Sequence, residues 1–119
     1  MKEPDSTVQK GRRGEQRACD FLTQRNFKII KRNFNYPGGE VDIIAVEHST
    51  LHFIEVKAWA DTPVFELERA VNCNKLRKIK RGVRYFFEQP NNFSDHSIQI
   101  DVLFINVKTK TIDFYEDIG

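Results

Sequence analysis

Residues 38–57, GGEVDIIAVEHSTLHFIEVK, decide how this chain folds. Gly38-Gly39 is a turn signal. Residues 40–48 and 51–58 are runs rich in β-branched and apolar side chains, and His48-Ser49-Thr50 between them suffices to reverse direction, so the stretch predicts an antiparallel hairpin. Successive strand residues point to opposite faces, which puts Glu55 and Lys57 on one face with Leu51 and Phe53, and Ile54 and Val56 on the other. Asp42 on the first strand is separated from Glu55 by twelve residues, a span that brings both carboxylates to one end of the hairpin.

Two carboxylates a few ångströms apart repel unless one is protonated or a cation lies between them. Mg²⁺ takes oxygen ligands of this kind together with waters and substrate phosphate. A lysine two residues from the second carboxylate could orient or deprotonate a water, or neutralise charge developing on a phosphoryl group. Asp42, Glu55 and Lys57 are therefore candidate catalytic residues around a divalent metal. The competing reading is a half-exposed hairpin with cross-strand ion pairs, and Glu-x-Lys alone does not separate the two.

Charge is distributed unevenly. Residues 1–34 sum to +5, residues 35–69 to −5, residues 70–89 to +5 and residues 90–119 to −3, for a net +2. The acidic block holds the hairpin, and the basic blocks on either side are what a phosphodiester-handling site needs to hold a polyanion over carboxylates. Two ordinary amphipathic helices with solvated basic faces account for the charge equally well.

Outward from the hairpin, residues 7–26 show helical periodicity through Gly14, Ala18, Phe21 and Leu22, with Glu15 near the inward stripe and Arg12 and Arg13 on its flanks. Glu15 could join the metal site through water or pair with a basic side chain. Residues 27–34 predict a first strand. A second helix is expected from Asn72 or Asn74 to Gln89 on the apolar stripe Leu76, Ile79, Val83, Phe86 and Phe87. Lys75 and Lys78 near its start are placed to reach a phosphate, and Gly82 is expected to weaken it. Residues 98–105 predict a central strand and 111–115 a last one; Asp101 in the former suggests a structural hydrogen bond to a loop rather than a contribution to the site. Trp59 and Phe65 suit either the core or a stacked base. Residues 1–6 suggest a flexible tail.

At 119 residues the chain is expected to form one domain, 1–119. Cys19 and Cys73 have no metal-ligand spacing, and with no secretory or transmembrane run they suggest the cytoplasm. His48, His52 and His96 are scattered and are expected at the surface or in turns rather than as ligands.

Five motifs in order, GRRGEQRACDFL (11–22), KRNFNYPGGEVDIIA (31–45), FIEVKAW (53–59), NKLRKI (74–79) and IDVLFI (100–105), resemble the YraN-type family of bacterial endonuclease-like proteins. That family sits within the PD-(D/E)XK phosphodiesterase superfamily, related in fold to archaeal Holliday-junction resolvases. The resemblance implies an α/β, restriction-endonuclease-like core, a mixed central sheet of about five strands flanked by two main helices. It implies that Asp42 and Glu55 bind Mg²⁺ or Mn²⁺, that Val56 lends its carbonyl to the metal, that Lys57 acts on the nucleophilic water, that Glu15 assists, and that Lys75 touches substrate. The expected activity is metal-dependent endonucleolytic hydrolysis of DNA, with Lys75, Lys78, Arg12 and Arg13 contacting nucleic acid and no membrane partner. A homodimer is compatible with it. The alternatives are a nucleic-acid-binding module without turnover and a non-catalytic interaction domain.

Overall fold

The computed structural model describes residues 7–59, 73–106 and 108–119, with side chains from Gly14 to Lys57, Asn74 to Asn106 and Lys108 to Gly119. The expected tail at 1–6, the side chains of Arg12, Arg13 and Trp59, and Phe65 lie outside the described residues. The hairpin forms as β2 (Gly39–Glu47) and β3 (Thr50–Trp59), antiparallel and joined through His48 at a φ of 54°. On its outer side β1 (Lys28–Tyr36) pairs antiparallel with β2. On the other side β4 (Ser97–Asn106) runs parallel to β3 along its whole length, from Thr50↔Ser97 to Trp59↔Asn106, and β5 (Ile112–Tyr115) closes the sheet antiparallel to β4. The order is β1-β2-β3-β4-β5, which puts β3 in the middle.

Parallel neighbours need a crossover, and the chain between β3 and β4 carries a helix, α2 (Cys73–Glu88), while α1 (Thr7–Gln24) precedes the sheet. The two helices cover opposite faces. Ala18 and Leu22 of α1 pack with Ile43, Ala45, Ile54, Leu103 and Ile105, whereas Ile79 and Phe86 of α2 pack with Val41, Ile44, Leu51, Phe53 and Ile100. Two helices on a five-stranded mixed sheet make the α/β, restriction-endonuclease-like core that the motifs imply.

The first helix stops two residues short of the expected Asn26, for a local reason. Asn26 adopts a φ of 69°, the Phe27 N–H donates to the Leu22 carbonyl at 3.0 Å and the Asn26 N–H to the Thr23 carbonyl at 3.1 Å. These are the two bonds of a Schellman cap, and the Phe27 ring joins the core beside Leu22 as its apolar contact.

Two expectations need correcting. His52, expected at the surface or in a turn, is 1 % exposed. It lies on the Ile54 face of β3, which a hairpin alone would leave half open but which α1 covers. Gly82, expected merely to weaken its helix, is a packing requirement. A Cβ there would meet Tyr36 Cε1 and Val41 Cγ2 at 2.8 Å each, and the Tyr36 hydroxyl donates to the Lys78 carbonyl one turn earlier. Tyr36 thus seats α2 on the β1–β2 hairpin through ring and hydroxyl together. Gly82→Ala should lower stability by about 1–2 kcal/mol in urea denaturation, because overpacking costs ~1–3 kcal/mol and exceeds the ~1 kcal/mol propensity gain. A variant as stable as the parent would mean that the Tyr36 ring moves aside freely.

Candidate functional site

The site forms where the hairpin comes apart. Arg32 and its partner Ile43 lie on the α1 side, Arg32 donating to Gln16 Oε1 at 3.0 Å and Ile43 packing in the α1 core. The next pair, Phe34 and Val41, belongs to the α2 side. Alternation therefore reverses across Asn33, at a φ of 52°, and Asp42. The β2–β3 ladder ends at Ile43↔Ile54, and beyond it the Val56 N–H donates to Asp42 Oδ2 at 2.8 Å.

Into this fork come six further charged side chains. Glu15 from α1 and Glu40 from β2 bring carboxylate oxygens that lie with one of Asp42's within 4.8 Å of one another. Glu15 Oε2 is buried with no hydrogen-bond partner. Of the two readings open for Glu15, an ion pair or a place beside the acidic site, this favours the second. Glu55, 8 % exposed, lines the same cleft of about 260 Å³ as Asp42, Glu40, Lys75 and Lys78. Its Oε1 receives Lys75 Nζ at 2.9 Å and Lys57 Nζ at 3.3 Å. The structure thus brings together Asp42, Glu55, Lys57, Glu15, Lys75 and Lys78. Val56 enters through its N–H.

Glu40 was not singled out from the sequence. Its signal is positional: Glu40 and Asp42 are an i, i+2 acidic pair directly after the Gly-Gly turn, so both reach the same strand end.

Crowding sets the electrostatics. Burial first, then Glu55, Glu15 and Glu40, push the Asp42 carboxyl up to about 7 against the restraining Val56 hydrogen bond. Burial and then the neighbouring Lys75 pull Lys57 below the ordinary lysine value, with Glu55 opposing. For Lys75 burial pulls down, but its hydrogen bond to Glu55 and the nearby carboxylates outweigh it and hold the group above its ordinary value. The fork therefore combines hard oxygen donors that are unfavourable together without a cation, an amine nearer to giving up its proton, and a persistently charged one.

A mixed five-stranded sheet with a helix on each face, and an acidic fork with two lysines where its hairpin opens, places the chain among restriction-endonuclease-like α/β proteins. The chain belongs to the uncharacterised protein family UPF0102, whose profile matches residues 14–105. It is 41 % identical over 97 residues to a UPF0102 protein of Petrotoga mobilis, covering 79 % of this chain and 83 % of that one. A UPF0102 protein of Campylobacter jejuni is 39 % identical over 106 residues, 89 % of each chain, and one of Helicobacter pylori 39 % over 89 residues, 75 % of each.

The raised Asp42 value fixes a sign. Unfolded, the group titrates near 3.8; folded, at about 7. As pH rises between those values the unfolded chain has already lost its proton, so this group lowers stability through that window, by up to roughly 4 kcal/mol at about 1.4 kcal/mol per unit. Asp42→Asn keeps an oxygen for the Val56 N–H and removes the charge. In EDTA it should be the more stable protein at about pH 8, with the difference shrinking as pH falls toward 4.5. Urea melts across that range check it, and a gap independent of pH would contradict the crowding.

Proposed function

We propose that this chain is a metal-dependent nuclease that hydrolyses DNA phosphodiester bonds with Mg²⁺ or Mn²⁺. The observation that carries the reading is the convergence of Asp42, Glu40 and Glu55 in one cleft at the foot of a basic helix, with Glu15 beside Asp42 and Lys57 beside Glu55. The donor set suits the ion: all are carboxylate oxygens, one on Glu15 is buried and unpartnered, and Asp42 is destabilised by its like-charged neighbours. Asp42 and Glu55 would hold it with the Val56 carbonyl, Glu15 beside them. When bound it would supply Lewis-acid neutralisation of the phosphate.

The chain's own groups do the rest. Lys57, lowered by burial and by Lys75, is suited to take a proton from an attacking water. Lys75 remains an ammonium and Lys78 is exposed at the cleft, so both can draw phosphate oxygens inward; Arg12 and Arg13 lie on the neighbouring helix α1. Asp42 holds the Val56 amide and so fixes the end of β3 from which Glu55 and Lys57 project. Among the described residues no helix is long and apolar enough to cross a membrane. The second reading, a DNA-binding module without turnover, draws on Glu55 being claimed already by two ammonium groups.

Duplex, single-stranded, flapped and four-way DNA, each incubated with Mg²⁺, Mn²⁺ or EDTA, test the proposal. Cleavage should require metal and vanish in Lys57→Ala with its far-UV circular dichroism unchanged; a variant as active as the parent would sink the assignment. DNA binding separates the two readings. Affinity should fall by roughly 0.9 log units per log unit of salt for each duplex phosphate neutralised. Lys75→Ala with Lys78→Ala should flatten that slope. Steep salt-dependent binding with no cleavage in any metal would select the binding module.

A further inference from the structure

The opposite end of β3 holds a second cluster. His52, 1 % exposed, hydrogen-bonds through Nδ1 to Asp101 Oδ2 at 2.6 Å, and Asp101 Oδ1 accepts the Asp117 N–H at 2.8 Å. Asp101 is itself fully buried. As its carboxylate only accepts, Nδ1 carries a proton, and in the neutral ring Nε2 presents a lone pair. That Nε2 is buried without a hydrogen-bond partner, and it faces Glu47 Oε1 at 3.7 Å. Ligand atoms of Glu47, His52 and Glu116 lie within 4.8 Å of one another. A buried imidazole nitrogen facing a half-exposed carboxylate, with a second carboxylate close by, is matched by a cation between them.

We infer that Glu47, His52 Nε2 and Glu116 form a second metal site, for a divalent transition-metal ion of the zinc type. The arrangement matches in three respects. A metal-bound imidazole is held by a carboxylate on its other nitrogen, which is the role of Asp101. Zinc takes imidazole nitrogen and carboxylate oxygen at about 2.0–2.2 Å, so neighbouring ligands in a tetrahedron stand roughly 3.3 Å apart. The 3.7 Å between His52 and Glu47 needs to close by only a few tenths of an ångström. The nitrogen ligand also distinguishes this site from the all-oxygen fork at the other end of β3, since Mg²⁺ disfavours imidazole. The ion would join the β2–β3 turn, β3 and the segment after β5, where the Ile118 N–H already donates to the Ile100 carbonyl at 2.8 Å. Its role is to staple residues 116–118 to the sheet.

The test uses Zn²⁺ alone as probe, on the full chain carrying Asp42→Asn so that the fork contributes less binding. Isothermal titration should find one equivalent of Zn²⁺. Adding Glu47→Gln and Glu116→Gln should weaken it by more than the ~10–100-fold that loss of an outer-shell partner costs. Both glutamates are at least partly exposed, so the variants retain the fold. Two further readouts address His52 in the wild-type chain: Zn²⁺ should shift its Nε2 nitrogen resonance and slow amide exchange at Asp117 and Ile118. Failure of Asp42→Asn to take up Zn²⁺, equal affinity after both glutamine substitutions, or an Nε2 resonance unmoved at saturating Zn²⁺ would each overturn the inference. The last outcome with a doubly protonated ring would mean that a proton, not a metal, lies between His52 and Glu47.

Discussion

Beyond the Ile43↔Ile54 pair, β2 leaves β3, and the Val56 N–H facing β2 loses its strand partner. A half-buried amide left so would forfeit a hydrogen bond, for a buried group a cost of about 1–3 kcal/mol, and the Asp42 carboxylate takes the strand's place at 2.8 Å. This substitution of a side chain for a ladder bond lets the hairpin open. Had β2 stayed paired to the end of β3, backbone would fill the fork, and Glu55 and Lys57 would sit on an ordinary strand. Asp42 therefore ends the pairing, satisfies the amide left behind, and adds its charge to the cluster.

The opening is tolerable because the other edge of β3 gives nothing up. Pairing with β4 continues through Trp59↔Asn106, so the fork costs one side of the strand only. Below it β3 is buried on both faces. Leu51 and Phe53 sit under α2 and Ile54 under α1, each fully inaccessible, and full burial of such side chains is worth roughly 1.5–3 kcal/mol apiece. That exceeds the cost of crowding Asp42 among like charges. The strand can hold an unfavourable carboxylate cluster at its end because its middle is so firmly fixed.

The sequence disclosed what depends on local period and missed what depends on distant surfaces. The hairpin, the shared face of Leu51, Phe53, Glu55 and Lys57, and the stripe of α2 all follow from two- and 3.6-residue repeats within one element. Glu40 was readable in the same way, as an acid two residues before Asp42. His52 required knowing that the Ile54 face is covered as well, and the apolar Ile54 and Val56 on that face were a usable hint. Gly82 was unreadable from propensity, because its reason is a Tyr36 ring arriving from another element. The reversal on β1 was hidden for a related cause: the positive φ of Asn33 inverts alternation without changing composition.

The charge balance of the fork gives its two lysines opposite shifts. Glu55 Oε1 is shared by two ammonium groups that burial lowers alike, so each holds less than a whole counter-charge, and their contacts with Glu55 and with each other set them apart. Lys57, on β3 beside Glu55, is pulled down, while Lys75, reaching in from α2 at 2.9 Å and attracted also by Asp42, is held up. Two lysines with one carboxylate thus acquire different protonation tendencies from position alone, the separation of paired titratable groups on which acid–base chemistry near neutral pH relies. A cation drawn to Asp42 and Glu55 would compete with both lysines for Glu55. In the proposed function Lys75, on the helix that Tyr36 seats against the hairpin, would turn from Glu55 toward a phosphate, while Lys57 stays on the strand. The docking of α2 through Tyr36 and Gly82 therefore bears on more than stability, because it sets the distance from which Lys75 reaches the fork.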